Sequence, residues 1–184
     1  MPPSATSAAM IVVTAWRKSR NSPPEKLRRM FDLADALPRL LPKAIAWAEA
    51  AAAAAQHQGS PLSANDLRLA RAVGVGRPEL IRVVEAAELP FPADPELGFA
   101  ASQAGLLGLH MLGLTLGYAV FVRKGYRSER LLSHECRHVY QYEVAGSIAA
   151  FLPMYLGQIV AFGYEHAPFE VDARAHERDE RSGT

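Results

Sequence analysis

Residues 128–146, SERLLSHECRHVYQYEVAG, constrain the fold more than any other part of the 184-residue chain. Ser128 is a good helix cap, Glu129 suits a first turn, and Gly146 marks the end. At 3.6 residues per turn, His134 and His138 project from one face of that helix, and Gln141 follows on the same side. Cys136 lies two residues from His134, points away from the histidine face and reads as a small core residue. Any fold for this chain has to be built around that helix.

The rest of the chain divides by texture. Residues 1–24 are rich in Pro, Ser and Ala and are expected to be poorly ordered. Residues 25–60 read as an N-terminal helical extension, with Pro38 and Pro42 expected to kink or divide its helix and an alanine run closing it before Gly59. Residues 61–180 form the main domain and 181–184 a tail, with the stretch after Arg178 charged. Within the main domain Ser63 or Asn65 caps a short helix, ELIRVVEAAELPFP reads as a strand, and a short helix follows over 95–105.

LTLGYAVFVRKGY alternates as a second strand or a hairpin. Leu114, Leu116, Tyr118, Val120 and Val122 fall on one side, with Thr115, Gly117, Ala119, Phe121 and Arg123 on the other. After the His134 helix comes a long apolar helix from Ser147 to about Gly163, then another opened by Pro168. The expected class is α+β, mainly helical, with a small β-sheet.

Composition narrows the function. Twenty basic and nineteen acidic residues leave a formal charge of +1, with arginines scattered, so nucleic acid is not an expected partner. One cysteine permits no intramolecular disulfide, and the expected compartment is the cytoplasm. The apolar patch from Ala8 to Ala15 has no basic region before it and reads as no signal peptide. Residues 105–122 and 147–162 are apolar but short for a membrane span and broken by His110, Pro153 and Gln158, which favours a place in the core.

The chemistry follows from the spacing His134-Glu135-x-x-His138. Two imidazoles one turn apart can bind one metal ion, and the intervening Glu135 can take a proton from water on that ion. A catalytic zinc wants a third protein ligand and an open position. Gln141 and Val144 stand where the metzincin pattern would have Gly and His, so that pattern is excluded. The leading third ligand is Glu170, in the first turn of the helix after Pro168; His166, Glu165, Asp172 and Glu177 are alternatives. Tyr164, His166 and Tyr126 are candidate oxyanion donors, and Gln141 could orient a ligand.

HECRHVYQ followed at a distance by PFEVDA resembles the gluzincin group of zinc metallopeptidases, over about Leu112 to Glu177. The resemblance implies a zincin-like minimal catalytic domain with an active-site helix, preceded by N-terminal helices. It implies one Zn²⁺ held by His134, His138 and Glu170, with Glu135 as general base and a peptide or protein as substrate. The strand near Gly117 to Val122 would lie beside the cleft as a substrate-pairing edge. The sequence departs from the thermolysin-like pattern at Arg174, where that pattern has an aspartate supporting a zinc histidine. Arg174 could instead stabilise the oxyanion or pair with Glu177. Two other functions stay open at this point: a non-catalytic scaffold or interaction module, and a membrane-associated metalloprotease.

Overall fold

The computed structural model describes residues 32–108 and 110–179. The expectations for residues 1–24, for 25–31 and for the tail at 181–184 lie outside them. The described elements are α1 (Leu33–Gln58), β1 (Ser60–Pro61), α2 (Ala64–Ala72), β2 (Arg82–Ala86), α3 (Pro95–Gln103), β3 (Gly113–Leu116), β4 (Ala119–Arg123), α4 (Glu129–Ala145), α5 (Ile148–Phe162) and α6 (Pro168–Ala175). The class is α+β. The strands form one mixed sheet in the order β1-β2-β4-β3, with β2 and β4 parallel and the other pairs antiparallel.

LTLGYAVFV is a hairpin, and its turn changes the expected faces. Gly117 takes φ +62 in a two-residue connection, and the register pairs Leu116 with Ala119 and Leu114 with Phe121. Each pair joins an even position to an odd one, so a single alternating set across the turn is ruled out. Leu114 and Leu116 share a side with Ala119 and Phe121, while Val120 and Val122 turn to the other. A second correction concerns the edge. β4 lies between β2 and β3, so the edge strands are β1 and β3, and the edge on this side of the sheet belongs to Gly113–Leu116 and not to residues 117–122.

The sheet is the middle layer of three. On one side Val83, Val120 and Val122 pack against Ala70 and Val73 of the α2 region and Leu132, Cys136 and Val139 of α4. On the other, Leu116, Ala119 and Phe121 meet Ala48 and Ala55 of α1 and Leu152 of α5. The alanine run of α1 thus supplies the small residues that let the helix approach the sheet.

Pro38 and Pro42 do not divide α1, which runs unbroken for 26 residues. Both prolines sit on its exposed side, where water can serve the carbonyls that lose an N–H donor, while Ala36, Leu40, Ala44 and Ala48 face inward. The helix read as an extension belongs to the same compact unit as the sheet.

α4 starts at Ser128, whose hydroxyl accepts from the N–H of Leu131, and ends at Gly146 with φ +89. The chain then bends by 116° into α5, capped by Ser147. Among the described residues no single helix is long and apolar enough to cross a membrane.

Candidate metal centre

α1 and α4 lie on opposite faces of the sheet, and among the described residues no strand separates them past the edge of β3. A cavity of about 130 Å³ opens there, and its polar end is formed by His134, Glu135, His138, Glu170 and Thr115. One nitrogen of His134, one of His138 and one oxygen of Glu170 lie within 4.8 Å of one another. Glu170 occupies the first turn of α6, where the helix dipole favours a carboxylate.

The neighbours of the two histidines fix which ring nitrogen faces the cluster. His134 Nδ1 lies 3.1 Å from Glu177 Oε1, a partner that can only accept from it. His138 Nδ1 lies 2.8 Å from Gln141 Oε1. The amide of Gln141 is oriented by its Nε2, which donates to the Phe169 carbonyl at 3.0 Å and to Asp172 Oδ2 at 2.8 Å. Both imidazoles therefore carry their proton on Nδ1 when neutral, and both Nε2 lone pairs point inward, 3.2 Å apart. Glu170 Oε1 is 3.3 Å from His138 Nε2, and Oε2 is 3.6 Å from His134 Nε2.

This is an arrangement of acceptors without enough donors. Glu170 Oε1 receives the Tyr155 hydroxyl at 2.7 Å, whereas Oε2 is buried and has no hydrogen-bond partner among the described residues. A single added proton could bridge the two nitrogens and would leave that oxygen unserved. One cation between the three groups serves them all, and two imidazoles with a carboxylate are a zinc donor set. Burial alone would raise the Glu170 carboxyl, but the adjoining His134 and His138, which donate to it once protonated, hold it well below the usual carboxylate range. For His138, burial favours the neutral ring, yet the hydrogen bond and charge of Glu170 raise its pKa. Both shifts follow from setting two imidazoles beside one buried carboxylate.

Glu135 is 5 % exposed and faces β3. Its Oε2 accepts from Thr115 Oγ1 at 2.7 Å, and the same hydroxyl lies 3.1 Å from the Glu135 carbonyl. A Cβ at position 113 would stand 2.2 Å from Glu135 Oε1, so glycine at that position makes room for the carboxylate.

α6 is fastened along α4 by contacts that also set the ligands. Arg137 grips Asp172 with two bonds of 2.7 and 3.0 Å, and the N–H of Arg178 donates to buried Ser133 at 2.8 Å. α5 contributes its two polar side chains. Tyr155 bonds Glu170, and Gln158 Oε1 accepts from the N–H of Phe169 at 2.9 Å, capping α6 where no local side chain does so.

The structure brings together His134, Glu135, His138, Glu170, Gln141 and Tyr164. Tyr164 lines the cavity, and burial, with the charge of Glu170, pushes its hydroxyl pKa well up. His166 is exposed and outside the cavity lining, as is Tyr126, 51 % exposed, over which the guanidinium of Arg123 lies. Among the alternative ligands Glu165 is exposed, Asp172 is turned to Arg137 and Gln141, and Glu177 supports His134 from the outer nitrogen.

Arg174 does not pair with Glu177. It donates to the carbonyl of Glu165, its Nη1 lies 3.7 Å from Glu170 Oε2, and 37 % of its side chain is exposed. Thr115 and Tyr155 escaped the sequence reading. Tyr155 had one usable signal, being one of two polar side chains, three residues apart, on an otherwise apolar helix; Thr115 had none.

In comparisons with known proteins the chain matches no family model, no curated protein and no solved structure.

Proposed function

We propose that the protein is a zinc-dependent hydrolase, a metallopeptidase with a zincin-like minimal catalytic domain. The observation that carries this reading is the convergence of two inward-facing Nε2 lone pairs and the buried Oε2 of Glu170, which accepts no hydrogen bond among the described residues, in a cavity that Glu135 also lines. A scaffold needs no buried carboxylate held next to that point on a strand edge.

His134, His138 and Glu170 would hold the ion. When bound there, zinc supplies Lewis acidity toward a carbonyl and lowers the pKa of water. Glu135 takes the proton from the attacking water and returns it to the leaving amine nitrogen. Thr115 holds one Glu135 oxygen and leaves the other for that exchange. Tyr164, on the cavity wall, is the donor placed for the developing oxyanion.

The substrate backbone has a natural partner. In the β3–β4 ladder Arg123 donates to the Leu112 carbonyl at 2.8 Å, and the register then turns the peptide groups of Gly113 and Thr115 toward the free edge. An extended peptide added there would run past Glu135.

The test is zinc stoichiometry on protein purified without chelators, for the wild type and Glu170→Gln, together with cleavage of a mixed peptide library. The reading requires about one zinc per wild-type chain, weakened retention in the variant, and cleavage by the zinc-loaded wild type.

A further inference from the structure

The cavity differs sharply between its two ends. Beyond the five polar groups and Tyr142, Tyr155 and Tyr164, its walls come from Leu37 and Trp47 of α1, Leu97 of α3, Leu107 and Met111 of the α3–β3 connection, and Leu156 of α5, among other apolar residues. Among the described residues no Lys, Arg or Asp lines it, and both acidic residues that do, Glu135 and Glu170, belong to the proposed metal centre. A charged side chain entering this space would lose its water and find no partner. The size is equally restrictive. An apolar void of roughly 150 Å³ holds a benzene molecule, and the cavity here measures about 130 Å³.

We infer that this cavity is the specificity pocket for one substrate residue flanking the scissile bond, and that it selects a single uncharged side chain of leucine, methionine or phenylalanine size. The inference rests on the metallopeptidase reading and names its substrate class. Three features combine to give it. The pocket begins at the ligands and at Glu135, so whatever fills it belongs to the group next to the reacting carbonyl. Its walls offer dispersion contacts and almost no hydrogen bonding. Its volume matches one large aliphatic side chain or a phenyl ring; glycine leaves it unfilled and an indole exceeds it. Its outer wall is α1, so the helix read from sequence as an extension contributes directly to the choice of substrate.

The test is binding, which separates selectivity from turnover. Two series of short peptide hydroxamates, carrying the variable residue on one or the other side of the zinc-binding group, are titrated calorimetrically into zinc-loaded protein. The residues are Leu, Phe, Gly, Lys, Asp and Trp. Burial of a full aliphatic side chain predicts that, in one series, Leu and Phe bind at least about tenfold more tightly than Gly. Lys and Asp bind no better than Gly, and Trp more weakly than Phe. Leu37→Glu, a change on a partly exposed wall position, narrows the gap between Leu and Lys in the same series.

Equal affinities across both series, in protein carrying one zinc, would overturn the pocket assignment and leave the metal centre standing. Protein that binds neither zinc nor acetohydroxamate would overturn the metal centre and this inference with it.

Discussion

Glu177 Oε1 lies 3.1 Å from His134 Nδ1, and Glu177 follows the ligand candidate Glu170 by seven residues. In the thermolysin-like pattern the carboxylate that supports a zinc histidine comes four residues after the ligand glutamate, a position held here by Arg174. Here a carboxylate meets the outer nitrogen of His134 from about one turn further along; it is also gripped by Arg130, and the N–H of the next residue, Arg178, bonds Ser133.

Removing that support should loosen zinc. Glu177→Gln is expected to weaken zinc affinity by about tenfold to a hundredfold, the usual effect of losing an outer partner of a ligating imidazole. Competition against a chromophoric chelator measures it, and an unchanged affinity would deny Glu177 this role.

On the proposed reading Thr115 acts on the base and not on the metal. Thr115→Val leaves one Glu135 oxygen buried without its donor, a loss of a hydrogen bond to a charged group worth about 1.5–3 kcal/mol. The expected result is a fall in kcat of about tenfold to a hundredfold with full zinc content, while Thr115→Ser keeps most of the activity. Loss of zinc in Thr115→Val would show that the contact is structural.

Cys136 is fully buried in the core between α4 and the sheet, and burial, with the nearby charge of Glu135, pushes its thiol pKa up to about 12. It should resist a thiol-specific disulfide reagent in the native protein and react with one equivalent on unfolding. Fast labelling under native conditions would contradict the packing of α4.

The ion pairs linking α1 to α3 join Arg39 to Glu96 and Lys43 to Asp94, the latter at 2.7 Å. Hydrogen bonds from these cations hold both carboxyls below their ordinary values of 4.5 and 3.8. The unfolded chain therefore takes up protons first as pH falls. The stability they contribute is complete above the ordinary carboxylate range and lost as pH drops through the lower folded-state values. The thermal midpoint of an Arg39→Met/Lys43→Met variant should sit slightly below that of the wild type at pH 7 and merge with it by about pH 2. A difference that persists in acid would have another origin.

Local features were legible in the sequence because they depend on neighbours in the chain. Ser63, Ser128 and Ser147 cap their helices, Gly146 ends α4, and the placement of His134, His138 and Glu170 followed from helical spacing and a proline start. What depends on distant contacts was not legible. The hairpin reverses the face of every residue beyond Gly117, and only the pairing of strands shows that β3 forms the edge. Thr115, Tyr155 and Glu177 reach the site across separations of 20, 15 and 43 residues from Glu135, Glu170 and His134, which no local pattern encodes. α1 survives its two prolines because they fall on the watered side, a matter of packing that proline content alone does not reveal.

The central claim is tested most directly by measuring zinc content and peptide cleavage for the wild type and Glu135→Gln in parallel. A metallopeptidase predicts about one zinc per chain in both proteins and cleavage by the wild type alone, since Glu135 carries protons and does not belong to the ligand set. Failure of the wild type to hold zinc, or equal cleavage by the two proteins, would contradict it.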